Sequence, residues 1–257
     1  MPLTKRYIKS KKFLPLILDE ATPLMSREIN ENKREMGQKM ADLLWGRKSA
    51  KYRIGKENKQ LDFLGILIDY YSELSDSLEN MKIAAVLINQ YPYGSTLKKK
   101  NINKAQYLSY HVGNYLNEVY IFRERMQKFL KWLEKEFKNI KKAEAVELVK
   151  KHERLIDNLL KPINDNRDAH VHTKRFEDLS IEQLKYIYLL MTSAKQDKFA
   201  RSVEIIEKLT YRKTRRDWFK KIGKNNSEIE KAMQFILEDV KYPIFQYLYV
   251  YKKVIKN

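Results

Sequence analysis

KAQYLSYHVGNYLNEVYIFRERMQKFLKWLEKEFK, residues 104–138, decides the fold class. Leu108, Val112, Tyr115, Val119, Phe122, Met126, Phe129, Leu133 and Phe137 recur along it at steps of mostly three and four, the spacing of one helical face. A stripe of this length on one face belongs to a core rather than to a cofactor site. Working outward, only 7 Gly and 6 Pro interrupt the 257 residues, so helices dominate. Further helices are expected near 23–46, 59–90, 142–160, 180–193, 197–222 and 226–254, and no alternating segment of strand length competes with them. The fold class is therefore all-α, with about seven helices.

Boundaries are weakly marked. Tyr91-Pro92-Tyr93-Gly94-Ser95, followed by Lys98 to Lys100, is the best linker, and Gly223 to Ser227 the next. The expected division is an N-terminal helical extension at 1–58 and a helical domain at 59–257 that ends in basic helices.

Lys+Arg 52 against Asp+Glu 33 leaves a net charge of +19. An excess of this size points to a polyanion partner, with scattered solvated lysine as the competing explanation. Clustering bears on the choice. In YRKTRRDWFKKIGK, residues 211–224, the cations Arg212, Lys213, Arg215, Arg216, Lys220, Lys221 and Lys224 are opposed only by Asp217. Trp218 and Phe219 sit among them, either as stacking surfaces for bases or as core anchors of an amphipathic helix with a basic outer face. A second basic run, Lys5 to Lys12, is either an arm or a solubilising terminus.

Cysteine is absent, which excludes disulfides and thiolate chemistry. The apolar run Phe13 to Leu18 is too short for a signal-peptide core and ends in Asp19 and Glu20. The longest uncharged stretch, Ile83 to Leu97, contains Asn89, Gln90, Pro92 and Gly94, a helix end plus a turn rather than a membrane span. No membrane partner and a cytoplasmic location are expected.

One short string proposes a chemistry: Arg167-Asp168-Ala169-His170-Val171-His172. Arginine, carboxylate and imidazole together can stabilise a phosphate, fix a tautomer and move a proton near neutral pH. Pro162 is expected to end the preceding helix, which carries Leu155, Ile156 and Leu159. Asn164-Asp165-Asn166 then offers caps for a new helix, and Ser180-Ile181-Glu182-Gln183 reads as the capping box of the next. The string should thus occupy the first turns of a short helix, where free N–H groups and the dipole favour an anion. Asp168 and His172, four apart, share a face; Arg167 and His172, five apart, stand roughly 140° around the axis. Arg167 must reach around, use irregular helix-start geometry, or serve a site completed by a second chain.

This string resembles the defining motif of the HEPN superfamily: an arginine, a polar residue, and a histidine four to six positions after the arginine. Arg167, Asp168 and His172 match those positions; His170 lies in the gap and receives no role. The resemblance spans about residues 60 to 193. It implies a HEPN-like helical bundle with additional N- and C-terminal helices. It also implies a homodimer that brings two motifs together, and a metal-independent endoribonuclease of the kind found in toxin–antitoxin and phage-defence systems, with RNA as substrate and an antitoxin protein as a further partner. No cofactor and no metal are implied. In the mechanism that follows from it, His172 moves a proton at the ribose 2′-OH or the 5′-oxygen, Arg167 stabilises the phosphorane, and Asp168 orients the imidazole. The alternative is a non-catalytic RNA- or nucleotide-binding helical module. A pure interaction scaffold would leave the charge and the motif unused.

Other residues are weaker candidates. His111, Asn114, Glu118 and Arg125 form a polar stripe on the long helix, either solvated or, at His111 and Asn114, completing the pocket of the motif. His170 and His172 could be metal ligands, but with 4 His and no Cys the chain offers few further ones. Asp69, Glu73 and Asp76 read as surface charge, and His152, in Lys-Lys-His-Glu-Arg, as solvent-exposed.

Overall fold

A computed structural model of the chain describes residues 59–91, 100–172, 178–193 and 198–254, together with Phe13, Pro15, Ile17, Asp19 and Ser26. At 61, 164–172, 198 and 249–254 it gives the backbone alone. Five helices follow in order: α1 (Lys59–Asn89), α2 (Lys104–Asn139), α3 (Ala143–His172), α4 (Leu179–Ser193) and α5 (Lys198–Val254). Among the described residues no strand occurs, and the fold is all-α as the periodicity requires. The helix expected near 23–46, the basic run Lys5 to Lys12 and the turn at 92–99 lie outside the described residues, apart from Ser26.

Two expected breaks are absent. Pro162 lies inside α3 rather than ending it, and Gly223 to Ser227 is an uninterrupted part of α5. A proline deletes one backbone hydrogen bond and crowds the carbonyl four residues back, which a helix held by tertiary packing can absorb. Ile156 and Leu160, both fully buried, anchor α3 before Pro162; Ile222 and Ile229 flank the Gly223 segment with 0% and 1% exposure.

The helix ends show why the elements begin and stop where they do. Asn103 and Gln106 exchange hydrogen bonds at the start of α2, Asn103 Oδ1 accepting from the Gln106 amide at 2.8 Å and Gln106 Oε1 from the Asn103 amide at 2.9 Å. At its other end Lys141 adopts φ 56°, and the Lys142 amide donates to the Phe137 carbonyl at 3.0 Å, turning the chain into α3 within three residues. The cap of α4 is Asp178, whose Oδ1 accepts from the Ser180 and Ile181 amides at 3.0 and 3.2 Å. The expected cap at Ser180 is thus displaced by two residues, because a carboxylate is available upstream.

The chain divides into two compact units, each drawn from separated segments. The first comprises the described parts of Met1–Glu73, Phe129–His152 and Lys231–Asn257; the second comprises those of Leu74–Lys128 and Glu153–Glu230. Aromatic packing holds the first: Phe63 stacks on Tyr247 at 4.1 Å and tilts against Trp132 at 4.8 Å, while Tyr70 meets Phe129 and Trp132. Gln60, 2% exposed, donates to the Leu248 carbonyl, and the Tyr247 hydroxyl donates to Glu136 at 2.7 Å. The second is built on the α2 stripe, with Leu108, Val112, Tyr115, Val119, Phe122 and Met126 all at 0% exposure. Its polar ties are Lys104 to Glu207 at 3.1 Å, Arg123 to Asp157 at 3.0 Å, and Asn226 to the Met81 carbonyl at 3.2 Å.

Candidate functional site

Arg167 to His172 form the last turns of α3, not the first turns of a new helix. The expected attraction of an anion to free N–H groups at this point is therefore withdrawn: a helix C-terminus exposes carbonyls and the negative end of the dipole. Charge of the opposite sign is favoured there. The helical backbone keeps Asp168 and His172 four apart on one face and Arg167 roughly 140° away from His172. The side chains of Arg167, Asp168, His170 and His172 lie outside the described residues.

The α2 polar stripe is not a solvated face. His111 and Asn114 are half-buried, Glu118 accepts a hydrogen bond from the Asn80 amide group at 3.4 Å, and Arg125 donates to the Ser77 hydroxyl at 2.6 Å. Glu118 and Arg125 thus face α1. His111 lies edge-on to Tyr107 at 4.4 Å and to Tyr110 at 5.2 Å, and burial pushes its imidazole below the usual range. A neutral imidazole on this helix is suited to accepting or donating a hydrogen bond rather than to holding a phosphate by charge.

The basic run separates into an outer face and a buried one. Arg212, Lys213, Arg216, Lys220, Lys221 and Lys224 are exposed. Arg215 is half-buried with its guanidinium 5.7 Å over the Tyr211 ring. Trp218 is 5% exposed and belongs to the core, with Lys221 Nζ 4.6 Å over its ring. An indole in that position is not a platform for a stacked base; Phe219, at 38% exposure, is the aromatic of the pair that reaches the surface. The physical reason is phase: Val203, Tyr211, Thr214, Trp218 and Ile222 are all buried and fall on one side of α5.

His152 corrects the sequence reading most sharply. Its side chain is 0% exposed, Nε2 lies 3.4 Å from Asp239 Oδ2, and the Phe235 ring stands edge-on at 5.6 Å. Burial lowers its pKa, Asp239 acts in the opposite direction, and Lys151 lowers it further. Asp239 also lines a cleft of about 570 Å³ with Lys141, Lys142, Glu144 and Tyr242. The signal was present in the sequence: Ala145, Val149, His152, Ile156 and Leu160 follow one another at four, three, four and four, on the buried face of α3. Asp69, Glu73 and Asp76 are exposed as expected, and among the described residues no group of three or more His, Asp or Glu side chains could hold a metal ion. No helix among the described residues is long and apolar enough to cross a membrane.

Compared with known proteins, the chain matches no family model, no curated sequence and no solved structure.

Proposed function

We propose that the chain is a metal-independent endoribonuclease of HEPN type, acting in the cytoplasm in a toxin–antitoxin or phage-defence role. The observation that carries this reading is the Arg167-Asp168-Ala169-His170-Val171-His172 string on a helix of an all-helical chain whose net charge is +19. His172 takes the proton from a ribose 2′-OH, or gives one to the departing 5′-oxygen, and Arg167 stabilises the charge gathering on the phosphorane. The 2′-oxygen bonds to phosphorus as the 5′-oxygen leaves, giving a 2′,3′-cyclic phosphate and a 5′-hydroxyl. Asp168, four residues before His172, orients the imidazole. The 140° offset of Arg167 supports a homodimer in which each copy supplies part of the other's site. An antitoxin protein would be a further partner.

The exposed cations of α5 support the second reading, a non-catalytic RNA- or nucleotide-binding module, because they bind phosphates without the motif. A cleavage assay on structured and unstructured RNA separates the two. His172→Ala and Arg167→Ala should each lose about 10²–10⁴-fold in rate with circular dichroism unchanged, Asp168→Asn should lose less, and EDTA should leave the rate alone. RNA that is bound but uncut, or cutting that persists in His172→Ala, refutes the nuclease in favour of the module.

A further inference from the structure

The outer face of α5 changes character along its length. At about 100° per residue, Phe199, Ile205, Ile206 and Leu209 fall in the same arc of roughly 140° as Arg212, Lys213, Arg216, Lys220 and Lys224. The buried side chains Val203, Glu207, Tyr211, Thr214, Trp218 and Ile222 occupy the opposite side. One helix face is therefore apolar over its first ~15 Å and, with Asp217 at its edge, predominantly cationic over the next ~18 Å. The four apolar side chains are 50–60% exposed. On α4, joined to α5 by four residues, Leu179, Tyr186, Leu189 and Leu190 are 51–81% exposed, while Ile181 and Leu184 on the other side of the helix are buried. A helix that is apolar all round is normally covered all round. Both helices thus carry exposed apolar side chains beyond the scattered single ones a surface normally shows.

We propose that this face docks an acidic amphipathic helix of a protein partner, its apolar turns against Phe199, Ile206 and Leu209 and its carboxylates against Lys213, Arg216 and Lys220. Charge selects this occupant. A second copy docking on this face would set a like-charged stripe against it. The chain's own segment 27–58 carries nine Lys and Arg against five Asp and Glu, so it repels the cationic half. A membrane surface offers headgroups and acyl chains at different depths, whereas here apolar and cationic groups succeed one another along a single face. The proposal stands apart from the nuclease reading and holds whether or not RNA is cut.

The test uses the full chain and a fluorescein-labelled synthetic helix with leucines at i, i+3, i+4 and i+7 in one half and glutamates at the same spacing in the other, made in both orders. Fluorescence anisotropy should show saturable binding. Ile206→Asp/Leu209→Asp and Arg216→Glu/Lys220→Glu, all at exposed positions, should each weaken it at least about tenfold with circular dichroism unchanged. The charge-reversed protein should instead bind a lysine version of the peptide, which the wild type rejects. Absence of saturable binding, or an affinity unmoved by charge reversal, overturns the proposal. Co-sedimentation with phosphatidylcholine–phosphatidylglycerol vesicles in place of peptide binding overturns it in favour of a membrane surface, and self-association abolished by Ile206→Asp/Leu209→Asp overturns it in favour of a second copy.

Discussion

Acidification from pH 8 to pH 5 should destabilise the protein through His152, and replacing this residue should remove that part of the pH dependence. The imidazole is fully buried, and among the described residues neither ring nitrogen meets a well-aligned hydrogen-bond partner; the Asp239 carboxylate is 3.4 Å away. Burial outweighs the attraction of Asp239 and holds the folded-state pKa below the ordinary value of an imidazole. The unfolded chain then takes up a proton that the folded chain refuses, so stability is intact above the unfolded pKa and is lost as pH falls through the folded one. Each unit of depression corresponds to about 1.4 kcal/mol. Urea unfolding followed by circular dichroism at several pH values reads this directly. His152→Leu fills the site without nitrogen atoms to desolvate, so its stability should vary less than that of the wild type between pH 6.5 and 5. His152→Ala leaves a void and should cost about 2–4 kcal/mol at pH 7, a fall in Tm of roughly 5–15 °C. An undiminished pH slope in His152→Leu, or an alanine variant within about 0.5 kcal/mol of wild type, would refute the buried, neutral histidine.

Gly223 is exposed inside α5 with no side-chain or distant backbone atom within 4 Å of where a Cβ would stand, so Gly223→Ala should stabilise by about 0.5–1 kcal/mol; a loss of stability in thermal unfolding would restore the turn expected there. Trp218→Ala should cost about 3–5 kcal/mol of stability, whereas a stacking platform would leave stability alone and lose about 1–3 kcal/mol of RNA affinity in a filter-binding assay. Lys104→Ala leaves the 8%-exposed Glu207 without its 3.1 Å ion pair and should destabilise by roughly 1–3 kcal/mol, with Lys104→Ala/Glu207→Leu recovering part of the loss; no recovery would place the effect elsewhere.

Long-period patterns were legible in the sequence and local punctuation was not. Every member of the α2 stripe from Leu108 to Phe137 is at most 1% exposed, because nine apolar side chains on one face leave the helix one way to pack. The Gly223 segment carries helix-stop chemistry worth about 1 kcal/mol and Pro162 about 3 kcal/mol, on the order of one or two buried isoleucines; Ile222 and Ile229 override the first from both sides, and Ile156 and Leu160 hold α3 ahead of the second. His152 was misread because Lys151, Glu153 and Arg154 advertise solvent while the residue itself holds the phase of Val149 and Ile156. In the candidate site, spacing gave the faces of Arg167, Asp168 and His172, but the polarity of their helix depended on whether Pro162 ended α3, a choice the caps at Asn164 to Asn166 pointed the wrong way.

The interleaving of the two units along the chain has a consequence during synthesis. Everything in the second unit is translated by Glu230, while the first still lacks Lys231–Asn257. Until that segment emerges, Phe63 has no Tyr247 to stack on and Gln60 has no Leu248 carbonyl to bind. Phe129 and Trp132 reach Phe63 and Tyr70 earlier, but the side of the cluster that Tyr247 covers stays open through the translation of residues 133–230, a long interval in which a ribosome-associated chaperone has an apolar surface to shield.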